Sequence, residues 1–402
     1  MGAILYTVVT SCLLLSTIAA PNHHGYQKIH VKAIQRSDGI QKINRHSHKS
    51  GAAQVPLVDF FKGTDLQWIG NVEIGSPPQT FSAVFDTGSP TFLIPSADCT
   101  PANGCAKDVS KFNPSRSRTF NLSSNTPFEF SFFTGGGVTP GNESQSGFLN
   151  TDRVSIGGLT VDNQEIGLVD SATPGFAPFL KHFQAVIGLG SAADLDGARN
   201  PILPALVAAG ELLEPIVSFY IPPRSTGHAE LTLGAIDHSK FVGDIHYIRP
   251  AVTDGLLASI WNVNFTNIFV NGRPTGVANF AVLDTGTSNI VAPSNDDAAA
   301  IYKHISIDIK LLNETGVFGI ACERICELPA TLDFEIEGRK YTIPSRDFNA
   351  GPIEGHPGMC QTVINGGDVG FWILGGSLLK HYYSTFNVET KVVGLAKAVE
   401  EL

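Results

Sequence analysis

Charged residues are scarce in this 402-residue chain, at 16%, and extended helical periodicity is scarcer still. Its 12 histidines show no spacing typical of metal ligands, and no Gly-x-Ser-x-Gly segment could form a nucleophile elbow. No cysteine and histidine resemble a nucleophilic pair, and Gly135-Gly136-Gly137 lacks the following Lys-Ser or Lys-Thr of a phosphate loop. These absences argue against serine or cysteine hydrolases, metal-site enzymes and nucleotide-binding proteins.

Small and apolar residues are plentiful, with 41 Gly, 24 Pro, 25 Phe and 43% hydrophobic residues overall. Single cores rarely grow beyond about 250–300 residues, so this chain is long enough for two globular lobes. Abundant Gly and Pro favour many short strands joined by tight turns. The clearest helical windows are 201–213 and 296–304, and the chain has no short tandem repeat.

One short sequence motif occurs twice. Phe85-Asp86-Thr87-Gly88-Ser89 is followed 198 positions later by Leu283-Asp284-Thr285-Gly286-Thr287-Ser288. A single Asp-Thr-Gly is weak evidence because Asp and Gly are common in turns. Two copies in matching apolar settings predict two similar lobes that each contribute one carboxylate to a shared site.

Two neighbouring carboxylates suit peptide hydrolysis, which needs an activated water and a proton for the departing amine. Placed together they cannot both ionise easily, so their pKa values separate; aspartic proteases are the standard example of this effect. The glycines at 88 and 286 permit a tight turn and close approach of the backbone amide. The hydroxyls of Ser89 and Thr287 are expected to hydrogen-bond the outer carboxylate oxygens.

Further segments appear in an order typical of a known family. The chain resembles the pepsin-type aspartic proteases (family A1), as a fungal-type secreted or vacuolar zymogen, over nearly its whole length. The segments that carry the resemblance, besides the two motifs, are 74–81 (IGSPPQTF), Cys99, Cys105, 112–114 (FNP), 151–159 (TDRVSIGGL) and 372–375 (WILG).

The resemblance implies a mostly-β, bilobal fold whose two homologous β-rich lobes enclose an active-site cleft. It implies an aspartic endopeptidase with an acidic optimum that cleaves extended polypeptides beside hydrophobic residues, acts as a monomer, and needs no cofactor or metal. Asp86 and Asp284 would be the catalytic pair, and Thr87 and Thr285 would lock the two loops together. The rival hypotheses are a non-catalytic binding protein of the same fold and a two-carboxylate glycosidase.

Substrate contacts are expected at Val84 and at a flap. Strand alternation places Val84 on the same side as Asp86, where it forms either an apolar wall or plain core packing. The flap corresponds to 128–135, with Phe132 where the family usually has Tyr and Phe133 as the alternative tip residue. Residues 136–146 form an insertion before the pattern resumes at Gly147.

Two further positions depart from the family pattern. Leu93 replaces a Trp whose N–H bonds the flap Tyr in relatives. Because Phe132 and Leu93 are both apolar, no polar partner is stranded, which predicts an apolar flap contact. Gly376 stands where Asp often follows Ile-Leu-Gly, and the sequence alone offers no physical explanation for it.

The N-terminal region predicts export and a zymogen. Residues 3–20 are uncharged and end in small residues, as in a signal peptide (1–20); an uncleaved membrane anchor is the alternative. Residues 21–55 carry +5 (6 minus 1) ahead of a remainder of −15 (21 minus 36). The basic segment 21–54 predicts a propeptide that inhibits its own enzyme, with a disordered leader as the alternative.

The mature body divides into an N-terminal lobe, 55–241, and a C-terminal lobe, 242–402. The expected product is secreted, with a vacuolar destination open, and it has no nucleic-acid partner and no membrane contact after signal removal. The resemblance pairs Cys99 with Cys105 and Cys322 with Cys360. Cys326 is left over as a buried thiol or an alternative partner of Cys360. The candidate glycosylation sites are Asn121, Asn142, Asn264 and Asn313.

Overall fold

Short strands dominate the fold, so the prediction of a mostly-β class is confirmed. The computed structural model describes residues 51–61, 65–132, 144–173, 183–191, 200–223, 228–313, 316–328, 330–353 and 356–399. These residues form 26 strands and four short α-helices. Elements in the first half are β1 (Ala53–Phe61), β2 (Asp65–Ile74), β3 (Gln79–Asp86), β4 (Phe92–Pro95), β5 (Asn121–Ser131), β6 (Ser144–Ile156), β7 (Leu159–Ala172), β8 (Ala185–Gly188), α1 (Ile202–Ala208), β9 (Ile216–Tyr220) and β10 (Ala229–Leu233).

The second half contributes the other sixteen strands and three of the helices. They are β11 (Phe241–Ile248), β12 (Asn262–Phe265), β13 (Asn267–Val270), β14 (Arg273–Pro274), β15 (Asn279–Leu283), β16 (Ile290–Ala292), α2 (Asn295–Tyr302), β17 (Lys310–Leu311), β18 (Phe318–Ala321), α3 (Cys322–Ile325), β19 (Leu332–Ile336), β20 (Arg339–Ile343), β21 (Asn349–Pro352), β22 (Met359–Thr362), β23 (Ile364–Gly366), β24 (Trp372–Leu374), α4 (Gly376–Leu379), β25 (Tyr382–Asn387) and β26 (Val393–Ala398).

The strands that lead into the two Asp-Thr-Gly loops have matching neighbours. β3 pairs antiparallel with β2 and parallel with β8; β15 pairs antiparallel with β12 and parallel with β24. Beyond them, β8 pairs antiparallel with β4, and β4 parallel with β7. In the same way β24 pairs antiparallel with β16, and β16 parallel with β23. The duplication seen in the motif therefore extends to a five-strand arrangement around each loop.

A run of strands from both halves joins them. It follows the order β11, β26, β25, β9, β10, β1 and continues into β2. The junction is the antiparallel pair β9 and β25, in which Ser218 lies opposite Thr385. β11 begins at Phe241 and β1 at Ala53, so strand pairing runs across the lobe boundary placed at 241 and starts before the body start placed at 55. Those boundaries stay predictions.

Helices form at the two windows that the sequence favours. α1 lies within 201–213 and buries Ile202, Leu203 and Leu206. α2 begins one residue before the 296–304 window, and the Ser294 hydroxyl caps it by accepting a hydrogen bond from Asp297 N at 3.1 Å. Within the described residues, no helix is both long and apolar enough to cross a membrane.

The structure contains the Cys99–Cys105 and Cys322–Cys360 disulfides, with Cα–Cα separations of 5.8 and 4.8 Å. Both are the pairs that the resemblance implies. Cys326 is also disulfide-bonded and Cys360 is paired with Cys322, so both expectations for Cys326, a buried thiol and an alternative partner of Cys360, are wrong. The family pattern assigns partners to the other four cysteines only, so it gave no partner for Cys326.

Three of the four candidate glycosylation sites lie in the described chain. Asn121 and Asn264 are exposed and Asn313 is partly exposed, so their side chains are accessible to different extents. Asn142 lies outside the described residues, as does Phe133. Glycosylation at all four positions stays a prediction.

Candidate active site

The two Asp-Thr-Gly motifs meet at the ends of matching strands. Asp86 is the last residue of β3 and Asp284 directly follows β15. Both are buried, with 7% and 8% of their surface exposed. The parallel neighbours hold each aspartate from behind, because Leu189 N donates to Asp86 O at 2.7 Å and Asp284 N donates to Leu374 O at 3.1 Å. Two carboxylates thus converge from opposite halves of the chain.

A reciprocal hydrogen-bond network locks the loops to each other. Thr87 N donates to Thr285 Oγ1 at 3.1 Å, and Thr285 N donates to Thr87 Oγ1 at 3.0 Å. Each hydroxyl then donates across the boundary to a main-chain carbonyl, that of Thr87 to Leu283 O at 2.7 Å and that of Thr285 to Phe85 O at 2.6 Å. Both threonines are buried. These hydrogen bonds therefore fix the two loops relative to each other, and with them the relative position of the two carboxylates.

Each carboxylate receives two hydrogen bonds from its own loop. Gly88 N donates to Asp86 Oδ1 at 2.8 Å, and the Ser89 hydroxyl donates to Asp86 Oδ2. In the second loop Gly286 N donates to Asp284 Oδ1 at 2.6 Å, and the Thr287 hydroxyl donates to Asp284 Oδ2 at 2.6 Å. In each carboxylate, Oδ1 therefore accepts a hydrogen bond from a main-chain amide and Oδ2 accepts one from a hydroxyl.

The glycines allow the carboxylates to face each other. A Cβ atom at Gly88 would lie 2.6 Å from Asp284 Oδ2, and one at Gly286 would lie 2.6 Å from Asp86 Cγ. Real Cβ atoms essentially never approach so closely. Any side chain at either position would therefore push the opposite carboxylate away, which explains why both loops carry glycine there.

Burial and proximity shift the protonation of the pair. The pKa of Asp86 is raised well above its usual value, first by burial, then by the charge of Asp284 and a hydrogen bond with it. Hydrogen bonds from Ser89 and Gly88 oppose the rise. The arrangement favours one shared proton, since the ionised form of one carboxylate makes ionisation of the other costly.

Sequence comparison agrees with this geometry. Residues 67–398 match the family described as eukaryotic aspartyl protease. The chain belongs to this family. Since 67–398 is most of the chain, the match includes both Asp-Thr-Gly loops and the strands that position them.

Similar proteins include cathepsins and chymosin. Cathepsin E-B of Xenopus laevis is 30% identical over 380 residues, covering 92% of this chain and 88% of the relative. Chymosin of Ovis aries is 30% identical over 363 residues, covering 89% and 88%. Cathepsin D of Dictyostelium discoideum is 30% identical over 368 residues, covering 89% of each. The resemblance to pepsin-type proteases is thereby confirmed, and the chain is an aspartic-type endopeptidase; that it is of fungal type stays a prediction.

The expected flap of this aspartyl protease is an antiparallel hairpin of β5 and β6. Phe128 lies opposite Gly147 and Ser131 opposite Ser144. Phe132, directly after β5, is partly buried against a cluster that contains Leu93, Val169 and Ala172. Phe132 and Leu93 thus belong to the same apolar cluster. This agrees with the apolar residues that stand at both positions in place of the usual Tyr and Trp.

Val84 lies in a small apolar cluster separate from the main core. Its buried companions are Phe183 and Val186, and Ile69 and Phe132 pack against the three from a partly exposed position. Because this cluster includes the residue at the flap, it supports the apolar wall over plain core packing. Sequence reasoning missed Phe183 and Ile69, which no motif marks; the pairing of Ile69 with Val84 depends on the register of β2 and β3.

The glycine at 376 has a packing explanation. A Cβ atom there would lie 2.5 Å from Cζ3 of Trp68, on β2 in the other half of the chain. Gly376 N donates to Thr287 O at 2.7 Å, so Trp68 packs directly behind the second Asp-Thr-Gly loop. The large indole ring occupies the space that a longer side chain at 376 would need.

A second residue of β2 that sequence reasoning missed also reaches this loop. Gln67 Nε2 donates to the main-chain oxygen of Gly286, 219 positions away. No pattern in the sequence marks Gln67, since the contact joins the two halves. Among the described residues, no group of three or more His, Cys, Asp or Glu side chains is arranged to hold a metal ion.

Proposed function

We propose that this aspartyl protease hydrolyses extended polypeptides at acidic pH, with Asp86 and Asp284 as its catalytic pair. The observation that carries the proposal is the mutual approach of the two carboxylates over Gly88 and Gly286. Each carboxylate has donors from its own loop, and the threonine network fixes the loops. Such preorganised donors need little rearrangement during the reaction.

The chemistry follows from one shared proton. A water between the carboxylates gives a proton to the ionised aspartate as its oxygen bonds to the peptide carbonyl carbon. The protonated aspartate gives its proton to the carbonyl oxygen, which leaves a neutral tetrahedral intermediate. The aspartate that took the proton from water gives it to the amide nitrogen. The C–N bond then breaks as one hydroxyl of the intermediate returns its proton to the other aspartate, so the products are a carboxylic acid and an amine and the carboxylates again share one proton. The raised pKa of Asp86, caused first by burial and then by the charge of Asp284, supports a pair that holds one proton in the resting enzyme.

Hydrophobic residues are the expected preference beside the cut. Val84 on β3, Val186 on β8 and Phe183 just before β8 form a buried apolar cluster beside the strand that ends at Asp86, and Phe132 packs against it. Burying one large apolar side chain there contributes about 1.5–3 kcal/mol. Charged side chains at the same place would lose hydration without a partner.

The precursor is proposed to be an exported zymogen. Residues 1–20 have the composition of a signal peptide, and 21–54 form a basic segment ahead of an acidic body. The segment would act as an intramolecular inhibitor held by charge. A secreted monomer is the expected product, with a vacuolar destination as the alternative.

A cleavage assay on an acid-denatured protein tests the proposal. The activated protein should cleave this substrate into peptides at a pH of roughly 3–5, because one of two carboxylates with split pKa values is then ionised and the other protonated. An active-site-directed aspartic protease inhibitor should abolish the activity, and a double variant, Asp86→Asn with Asp284→Asn, purified identically, should have none. Inhibitor binding without cleavage would favour a non-catalytic binding protein. Inhibitor-insensitive hydrolysis of a polysaccharide would favour a glycosidase.

A further inference from the structure

Gln67 connects the first half of the chain to the second Asp-Thr-Gly loop. Its side-chain amide donates to the carbonyl oxygen of Gly286, and its own oxygen Oε1 is buried without a hydrogen-bond partner among the residues that the structure describes. Nothing in the local structure of β2 requires a Gln at this position, because the strand pairs through its main chain. The contact must therefore be explained by the loop that it reaches.

The peptide that Gln67 holds lies between the two donors to Asp284. Gly286 N donates to Asp284 Oδ1 and the Thr287 hydroxyl donates to Asp284 Oδ2, both at 2.6 Å. The Gly286 carbonyl belongs to the peptide that joins these residues. Fixing the direction of this carbonyl therefore fixes the plane of that peptide, and with it the relative position of the two donors.

The neighbouring carbonyl in the same loop is held as well. Thr287 O accepts a hydrogen bond from Gly376 N at 2.7 Å, and Trp68 packs against Gly376. Gln67 and Trp68 are consecutive on β2, so one dipeptide of the first half restrains two successive carbonyls of the second loop. Gly286 is the residue that most needs such restraint, since glycine has more main-chain freedom than any other residue.

In the described residues the first loop has the main-chain part of this restraint, since Gly190 N donates to Ser89 O at 2.9 Å, but it has no counterpart of the Gln67 side-chain contact. In β2, Ile69 pairs with Val84, two residues before Asp86; in β12, Asn262 pairs with Val282, two residues before Asp284. Positions two residues earlier, Gln67 and Ile260, are therefore equivalent in the duplicated arrangement. Ile260 is a buried apolar residue without a side-chain donor. The two carboxylates are consequently supported unequally.

We propose that Gln67 is a positioning residue for Asp284, acting through the Gly286–Thr287 peptide. The inference rests on the proposed function of Asp284 as one of the catalytic pair. It predicts an effect on kcat greater than on KM, because the residue sets the geometry of a reacting group.

Three variants test the role. Gln67→Met keeps the length of the side chain and removes the donor. Gln67→Glu is nearly isosteric, and it can donate to Gly286 O only while it is protonated, below its ordinary pKa of about 4.3. Gln79→Glu is the matched control, because Gln79 Nε2 donates to the main-chain oxygen of Asn113 at 3.0 Å, away from the two loops.

The expected results differ in their pH dependence. Gln67→Met should lower kcat about tenfold at every pH, with KM changed less than about twofold, since one hydrogen bond of ~1–1.5 kcal/mol is lost. Gln67→Glu should recover most of the wild-type kcat at low pH and fall toward the Met variant as pH rises above ~4–5. Gln79→Glu should keep a pH-independent ratio to wild type.

Two results would overturn the proposal. If Gln67→Met kept wild-type kcat, any pH effect of Gln67→Glu would reflect only its added charge. Equal, pH-independent losses in Gln67→Met and Gln67→Glu would indicate a general packing role. Crystal structures provide a readout that does not need activity: the Gly286–Thr287 peptide should shift or gain mobility in Gln67→Met but not in Gln79→Glu. An inactive wild-type chain would count against the proposed function, and an unmoved peptide against the role of Gln67.

Discussion

Trp68 and Trp261 occupy equivalent positions in the two halves, and each packs behind the loop of the other half. Trp261 Nε1 donates to Leu189 O at 2.8 Å, and Leu189 N in turn holds Asp86 O at 2.7 Å. Trp68 packs against Gly376, the residue equivalent to Leu189 in the repeated strand order. The exchange is asymmetric, because the buried indole N–H of Trp68 has no hydrogen-bond partner in the described part of the chain.

This asymmetry predicts unequal effects of the same substitution. Trp→Phe removes similar ring volume at both positions, but only Trp261→Phe strands a buried carbonyl, that of Leu189. The free energy of unfolding should fall by about 1–3 kcal/mol more for Trp261→Phe than for Trp68→Phe. Urea titrations followed by circular dichroism, in an Asp86→Asn background that prevents self-cleavage, would measure the difference. Equal losses would mean that the Trp261 hydrogen bond adds little.

Replacing either aspartate should remove most of the catalysis. Asp86→Asn and Asp284→Asn each eliminate the shared proton, so kcat should fall by several orders of magnitude, roughly 10³-fold or more. The double variant should lose little beyond either single variant, because the two residues act as one unit. Single-turnover cleavage of a synthetic peptide at acid pH is the measurement. Substantial activity in Asp86→Asn would show that another group performs the chemistry.

The sequence predicted the loops well because the duplicated motif is local. Asp, Thr, Gly and a hydroxyl residue lie within four positions, and alternation along one strand places Val84 with Asp86. Gln67 and Trp68 could not be predicted in this way. Their contacts join residues more than 200 positions apart, and they depend on how the two halves pack, which no local propensity encodes. Once the strand register is known, however, the equivalence with Ile260 and Trp261 follows directly from the repeat.

The apolar contact of the flap predicts coupling between Phe132 and Leu93. Phe132→Tyr places a hydroxyl against the apolar side chains of Leu93, Val169 and Ala172. If that hydroxyl is buried, kcat/KM should fall by an amount equivalent to about 1–3 kcal/mol. Adding Leu93→Trp should recover part of the loss, with a coupling of roughly 0.5–3 kcal/mol in a double-mutant cycle.

Phe148→Tyr is a suitable control for that cycle, since Phe148 lies on β6 of the same hairpin and is 39% exposed. Its new hydroxyl would face solvent and should leave kcat/KM unchanged. Strictly additive effects of Phe132→Tyr and Leu93→Trp would show that these positions do not interact during catalysis and that Phe132 is not the flap residue.

The basic leader predicts a pH- and salt-dependent block. At neutral pH its +5 charge faces a body of −15, so full-length protein should cleave little. Acid should release it because carboxylates of the body become neutral, while the five leader histidines only gain charge below pH ~6.5. High salt should also weaken the block. The measurement is initial cleavage by an unprocessed chain at several pH values and salt concentrations; equal rates at neutral and acid pH without processing would refute inhibition by the leader.

A buried histidine predicts that stability falls on acidification. The pKa of His381 is lowered to about 4, chiefly by burial. The charge of Asp347 raises this pKa, and the charges of Lys380, Lys397 and Arg346 lower it further. The unfolded chain therefore binds a proton that the folded chain does not between pH ~6.5 and ~4. This difference should remove up to about 3 kcal/mol of stability as pH falls through that window, and His381→Gln should remove this contribution to the pH dependence.

Unfolding free energies measured at pH 7 and pH 4 would check the role of His381. His304→Gln is the matched control, since His304 is exposed. The control should follow the wild-type pH profile. If His381→Gln also kept the wild-type difference between the two pH values, the acid sensitivity would have to come from other groups.

The position of β1 limits how far the precursor can be shortened. The first part of β1, Ala53–Leu57, pairs with β10, and the part from Val58 onward pairs with β2. Both parts of the strand are therefore hydrogen-bonded to a neighbour. An aminopeptidase that trimmed beyond Ala53 would leave main-chain groups of β10 without partners and would loosen the strand that connects the two halves. Trimming should therefore stall at the start of β1, whichever enzyme makes the first cut. β1 therefore limits maturation, and the N-terminus of a stable mature form should lie at or before Ala53, not at the body start of 55 that the sequence suggested.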